Sequence, residues 1–449
     1  MPASAATFTP DLVLPSNLVV RLDPVGQFAT AASNNNLASP VAIGDKLYVV
    51  DQKRAELSIQ DGTTTRVVIG TSELPSGISA TANLGIFNIA GNGGDTAYVG
   101  FTSSTLPAEF TNVHHLPQDD AYTLGGTALP NYDLIYRYAV APDGSLSMPV
   151  ALTAFETGIS SPVGGAHFGG GMLVLPDGKL LLARGDNLNQ LYDGMTYAQD
   201  EDTTVAKLLI IDGTTGSVEV AATGVRNVQR LTYTDASQTQ IAFADIGRTV
   251  AEEINVVDVA SLINTTEIEN FGWGRNADGL AREGTFYING GNYMGMTPAA
   301  VGIVPAPESG FISPYAQFGR PDSGLFAVSG PVLSDISFNV IDMLFGDLAS
   351  GALFATVAKI GSLLNPVRSV GVADGLGGVT TLWDFLGVSK RDDLRFFNFV
   401  DGSAGLLLER SGLAFRITEV PLPASFLLLL GALMMGGAGL ASGRRTVRT

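Results

Sequence analysis

Two identical tripeptides, Pro142-Asp143-Gly144 and Pro176-Asp177-Gly178, lie between short runs of β-forming residues. Val400-Asp401-Gly402 is a third, degenerate copy, and Asp-Gly pairs also stand at 61–62 and 212–213. Asp-Gly favours the positive φ angles that tight hairpins need. Runs such as Lys46–Val50, Thr64–Ile69 and Tyr98–Phe101 supply the strands. Lys207–Ile211, Asp212-Gly213 and Ser217–Val220 predict a complete hairpin. Spaced hairpins with a recurring turn predict an all-β chain, as a propeller or another closed array of sheets. Residues 258–266 could form a short helix or 3₁₀ turn. No linker interrupts residues 15–419, which predicts one domain.

Composition fits this. Gly is abundant at 54 of 449 residues, and charged residues make up only 15%. The absence of cysteine excludes disulfides, zinc thiolates and cysteine nucleophiles. Net charge is −18, and Arg444, Arg445 and Arg448 follow the last acid, Glu419, so residues 1–420 carry −21. Such a field disfavours nucleic acid as a partner. It is compatible with a bound cation, although acidity more often serves only solubility.

The C-terminus carries a separate signal. Val420-Pro421-Leu422-Pro423-Ala424 precedes Ser425–Ser442, eighteen residues without a charge, and the Arg cluster follows at once. That length reaches the roughly 18-residue threshold for a membrane span. The basic flank predicts a cytoplasmic end, with the body on the other side. Residues 420–449 resemble the VPLPA variant of the PEP-CTERM sorting signals. The resemblance implies export, a transmembrane helix over 425–442, and processing by an exosortase-type membrane protease. Residues 1–14 look like the small-residue cleavage end of a signal peptide.

Within the body, a set of motifs occurs in a fixed order. They are His167-Phe168-Gly169-Gly170, Leu175–Leu180, Gly185-Asp186-Asn187, Arg226-Asn227-Val228-Gln229, Glu252-Glu253-Ile254-Asn255 and Asn270-Phe271-Gly272-Trp273. Leu84-Gly85-Ile86 and Phe345-Gly346-Asp347-Leu348 extend the set at either side. Together they resemble the glucose/sorbosone dehydrogenase family. That resemblance implies a single six-bladed β-propeller over 15–419. It also implies pyrroloquinoline quinone (PQQ) and Ca2+ as cofactors, and oxidation of an aldose at C1.

By the same resemblance, His167 is the base that takes the hydroxyl proton, and Asp186 orients it. A neutral imidazole suits that task near pH 7. Arg226, Asn227 and Gln229 match the family's quinone contacts. Arg391 and Arg395 stand nearest to its late Arg-x-Arg pair. Glu253 and the Gly247 carbonyl match Ca2+ ligands. Some positions depart from the pattern: Val228 replaces a Pro, Phe271 a ligating tyrosine and Arg248 a Pro, while Ala349 falls near a cofactor lysine. His114-His115 is a weak metal candidate, because adjacent strand residues point to opposite faces.

Two functions remain open at this level. One is an exported, envelope-sorted sugar dehydrogenase. The other is a catalytically degenerate propeller that binds a glycan at the surface or in the extracellular matrix.

Overall fold

The computed structural model describes residues 14–420 apart from 30–34, 63, 71, 76–77, 79–84, 117–130, 158–166, 168, 187–196, 249, 264–266, 276–280, 284–285, 290–301, 306–309, 320–326, 333–342, 349, 357–364 and 388–391. Strand β1 (Leu14–Gln27) opens the chain. Strands β2 (Val41–Ile43), β3 (Lys46–Asp51), β4 (Glu56–Asp61) and β5 (Thr64–Ile69) form the first blade in that order. The second contains β6 (Gly85–Gly91), β7 (Thr96–Ser103), β8 (Val113–His114), β9 (Asn131–Val140) and β10 (Leu146–Thr157), ordered β6-β7-β9-β10-β8. The third is built from β11 (Met172–Val174), β12 (Leu180–Arg184), β13 (Lys207–Ile211) and β14 (Val218–Thr223).

A fourth blade begins with β15 (Val228–Tyr233), β16 (Gln240–Asp245) and β17 (Ala251–Asp258). Helix α1 (Val259–Ile263) follows, within the stretch 258–266 where the sequence allows a short helix or a 3₁₀ turn. β18 (Glu269–Asn270) returns to the edge of the third blade beside β14. A small accessory sheet of β19 (Gly274–Arg275), β20 (Ala281–Glu283), β21 (Phe286–Asn289) and β22 (Gly302–Pro305) comes next. β23 (Ala316–Gly319) then completes the fourth blade against β17.

The rest forms one nine-stranded sheet. It contains β24 (Val328–Val332), β25 (Met343–Asp347), β26 (Leu353–Thr356), β27 (Val367–Ala373), β28 (Val379–Thr380), β29 (Leu394–Asn398), β30 (Ala404–Leu408) and β31 (Leu413–Glu419). Helix α2 (Leu382–Leu386) lies between β28 and β29. The ninth strand is β1, which pairs parallel with β27 and antiparallel with β31.

The architecture is all-β and propeller-like. Among the described residues it shows four free-standing blades, where the family resemblance implies six. The physical reason is β1: by pairing on both its edges it fuses the last two groups of strands into a single sheet.

Apolar faces pack from sheet to sheet around the ring. Tyr48 and Ile59 meet Ile86, Val99 and Phe101. Phe87 and Phe155 meet Leu180, Leu182 and Leu209. Leu181 and Ile210 meet Leu231, Ile241 and Phe243. Ile254 and Phe318 meet Phe345 and Phe354. Leu344 and Leu353 meet Leu394 and Phe396, and Phe397 and Leu407 return to Leu47 and Val49 of the first blade.

All three copies of the recurring turn adopt one geometry. The Asp143, Asp177 and Asp401 carboxylates each accept from the backbone N–H two residues on, at 2.9, 3.1 and 3.0 Å. Gly144, Gly178 and Gly402 take φ of 83, 87 and 82°, a region that L side chains rarely enter. The turn after Asp212 differs from expectation: Gly216, at φ 72°, takes the left-handed position in place of Gly213. Asp212 instead caps the N–H groups of Thr214 and Thr215.

Among the described residues no helix is long and apolar enough to cross a membrane. The predicted tail helix over 425–442, and residues 1–13, lie outside the described residues.

Candidate functional site

The strand ends bring the motifs together. His167 precedes β11, and Asp186 follows β12, its antiparallel partner. Arg226 and Asn227 immediately precede β15, and Gln229 lies on it. Gly171 N–H bonds the Val228 carbonyl at 2.8 Å, and Asp186 N–H bonds the Arg226 carbonyl at 2.9 Å. These two backbone bonds tie the third blade to the fourth at the site.

His167 Nδ1 lies 2.6 Å from Asp186 Oδ1. Asp186 is wholly buried, and its other oxygen is 3.9 Å from Arg226 Nε. His167 is held at φ 65°, a left-handed conformation uncommon outside glycine and found at constrained functional positions. Gly185 makes room for it: a Cβ there would stand 2.3 Å from the His167 carbonyl oxygen. Burial pushes the His167 pKa below its usual value. Asp186 opposes this, while the Arg226 and Arg248 charges add to it. The imidazole is therefore favoured as the neutral base.

Residues that the sequence motifs did not flag hold this loop in place. Asp133, wholly buried on β9, accepts from Gly169 N–H at 3.0 Å and from the Thr102 hydroxyl at 2.9 Å. Arg184 Nε is 3.6 Å from Asp133, and Arg184 also bonds the Glu156 carbonyl. Asn88 Nδ2 donates to the Gly170 carbonyl at 3.0 Å. Asp245 accepts from the N–H groups of Arg226 and Asn227 at 2.8 and 2.7 Å. These contacts span 18 to 82 residues, and no local spacing signals them. An acid inside the strand Asn131–Val140 is the one sequence signal that could have marked Asp133.

His167, Asn227, Gln229 and Arg395 line one cavity of about 200 Å³, with Ser39, Gln52, Phe87 and Asn88. Arg395, on β29, bonds the Gln229 side chain, the Leu37 carbonyl and the Glu409 carboxylate. Arg226 does not line this cavity. Its Nη1 donates to the carbonyls of Ile246 and Gly247 at 2.7 and 2.8 Å, and its guanidinium lies 5.3 Å from the Trp273 ring. Arg391 and Ala349 lie outside the described residues.

The proposed Ca2+ ligands sit in a different arrangement. The Gly247 carbonyl already accepts from Arg226. Glu253 stands across β16–β17 from Asp245 and bonds Asn255 Nδ2 at 3.2 Å. Burial and then the Asp245 charge push its carboxyl upward, and Arg282 opposes them. Glu283 accepts from the N–H groups of Arg248, Val250 and Ala251 at 2.7–3.0 Å. Phe271 is a core residue, edge-on to Phe243. Among the described residues no group of three or more His, Asp or Glu is arranged to hold a metal. His114 and His115 diverge as expected: His114 stacks on Phe155, and His115 pairs with Glu156 at 2.9 Å.

No protein-family model and no curated protein sequence matches this chain. Among solved structures it is similar to the PQQ-bound aldose sugar dehydrogenase of Streptomyces coelicolor. Identity is 16%, the match covers 90% of this chain and 99% of that one, and the TM-score is 0.50. It is also similar to a carbohydrate-active enzyme of family AA12 from Trichoderma reesei in its iodide structure. There identity is 11%, coverage 93% and 100%, and the TM-score 0.51. The calcium structure of that enzyme matches at 11% identity, 93% and 99% coverage, and a TM-score of 0.50. The chain has the all-β, propeller-like fold of these proteins. At such identities the likeness extends to the fold alone.

Proposed function

We propose that this chain is a sugar dehydrogenase-like propeller that oxidises an aldose at C1, with His167 as its base. The observation that carries this is the 2.6 Å His167–Asp186 pair, buried behind His167 and presented to a polar cavity. Asp186 at Nδ1 leaves Nε2 as the nitrogen that takes the hydroxyl proton. It also stabilises the imidazolium that results, as the carboxylate of a catalytic triad does. Arg226, 3.9 Å from Asp186, acts as a positioning residue by holding that carboxylate in place.

Asn227, Gln229 and Arg395 fit a flat polar cofactor bearing a carboxylate, and these residues would hold PQQ. When bound, PQQ would supply the two-electron acceptor that no side chain can provide. Ca2+ does not fit the described donors, because an arginine N–H occupies the Gly247 carbonyl, and no step here uses the ion.

In this reading the nine-stranded sheet does the work of two blades, so the ring counts six. Two four-strand runs, β24–β27 and β29–β31 with β1, support that count. Export, anchorage through 425–442, and processing by an exosortase-type protease belong to the same proposal. Their support is the sequence of residues 420–449.

Purified protein titrated with PQQ should show a change in quinone absorbance, and a dye acceptor should then report aldose oxidation. If no PQQ binds, the alternative takes over: a propeller that binds a glycan without redox chemistry. One observation favours that alternative, namely the pairing of Arg395 with Glu409, which offsets the cation facing the cavity.

A further inference from the structure

A second cavity, of about 210 Å³, shares Ser39, Asn88 and Gln229 with the first and is also lined by Arg230, Thr232 and Asn398. In a chain of net charge −18, no Asp or Glu among the described residues lines it. Arg230 Nε donates to the Pro331 carbonyl at 3.3 Å, and Nη2 donates to Asn398 Oδ1 at 3.0 Å. A guanidinium has five N–H donors. Among the described residues the remaining donors of Arg230 find no acceptor, and no carboxylate lies within ion-pair distance. The other arginines of the site differ: Arg184 faces Asp133, Arg226 faces Asp186, and Arg395 faces Glu409.

The amide groups around the cavity add to the imbalance. Gln229 Oε1 accepts from Arg395, Asn398 Oδ1 from Arg230, and Asn88 Oδ1 from Ile89 N–H. Asn88 and Asn398 also donate to the Gly170 and Gly402 carbonyls, so among the described lining residues Gln229 Nε2 and the Ser39 hydroxyl are left to meet a ligand. Burial lowers the Arg230 pKa only to about 10, so the charge persists at neutral pH. A part-buried cation with no carboxylate beside it, facing a cavity, is a natural partner for a counter-charge from outside the chain.

We infer that Arg230 anchors a binding site for a small free anion, a halide or a carboxylate of formate size. The cavity of about 210 Å³ admits such an ion together with several waters, each of which takes about 30 Å³ of liquid. The site is independent of any redox chemistry at His167.

Chloride-35 NMR tests it. Chloride exchanging with the wild-type protein should show excess linewidth that formate removes by competition. Arg230→Gln should lose that excess, and Arg230→Lys should retain part of it. Excess width that survives Arg230→Gln in full, or its absence from the wild type, would overturn the assignment. If Arg230→Gln does not fold, wild-type crystals soaked in bromide decide the matter. An anomalous peak beside the Arg230 guanidinium supports the site, and water alone at that position refutes it.

Discussion

His167 is set apart by three constraints that act together: a left-handed backbone, a buried carboxylate on one nitrogen, and a cavity before the ring. If the dehydrogenase proposal holds, His167→Ala should lower kcat by roughly 10²–10⁴, the usual contribution of a general base. Asp186→Asn should lower it as well, by freeing the tautomer, with circular dichroism unchanged. The pH profile follows from the same surroundings. Since burial and two arginines lower the His167 pKa, the base form persists below the usual value of 6.5. The acid limb of kcat/KM should therefore lie below pH 6.5; a limb above it would mean that Asp186 outweighs burial.

Glu253 and Asp245 allow a second test at this scale, on stability. Burial raises both carboxyls well above their ordinary values of 4.5 and 3.8. The folded state therefore binds protons that the unfolded chain has released. Their contribution is complete below about pH 4 and is lost as pH rises through the raised folded values. Glu253→Gln should accordingly stabilise the protein more at pH 9 than at pH 5, by about 1 kcal/mol or more, since a tenfold change in proton affinity is worth about 1.4 kcal/mol. Denaturant melts at the two pH values measure this. EDTA should leave Tm unchanged, and a rise in Tm with added Ca2+ would overturn the metal-free assignment of the Gly247 carbonyl.

At the scale of elements, the recurring turn does more than reverse the chain. Tyr48 of the first blade donates its hydroxyl to the Gly144 carbonyl at 2.7 Å, and Tyr98 of the second donates to Gly178 at 3.1 Å. In both cases a tyrosine of one blade caps the Pro-Asp-Gly turn of the next. Tyr98→Phe should cost about 1 kcal/mol, the net value of one hydrogen bond, and Tyr48→Phe a similar amount. Chemical denaturation of each variant would show it. The turns were legible because Asp-Gly is a local signal with a local cause. Strands β3, β5 and β7 and the strands of the hairpin β13–β14 were legible from local β-forming runs. The neighbourhood of His167, Asp186 and Arg226 was suggested only by the order of the motifs, and Arg226 does not line the His167 cavity. What the sequence could not convey is pairing at a distance. Nothing in Ala316–Gly319 marks it as the partner of β17, and nothing near Asp133 marks it as the anchor of Gly169. The partner of the Gly247 carbonyl was hidden for a related reason: it depends on which arginine folds onto it.

For the molecule as a whole, the decisive element is the one nearest the start of the described chain. β1 joins β27 on one edge and β31 on the other, so the first strand closes the last sheet. Residues some 400 positions apart, such as Arg21 and Thr418, become register partners. Val20 and Leu22 lie buried there among Leu353, Phe396, Leu406 and Ile417. Loop closure over such a span costs little more than over half of it, because the entropy grows only with the logarithm of length. The contacts of β1 must nonetheless hold both edges against the opening of the ring. An unpaired carboxylate placed in that core has no partner, and a substitution of this kind falls in the most destabilising class. Val20→Asp should therefore cost roughly 3 kcal/mol or more, while Arg21→Ala, exposed on the same strand, should cost under about 0.5 kcal/mol. Hydrogen exchange adds the spatial test. In Val20→Asp, protection should fall first in β27, β30 and β31, with β12 and β13 keeping theirs. Equal loss across all blades would mean that the ring opens as one unit and that β1 is not its latch.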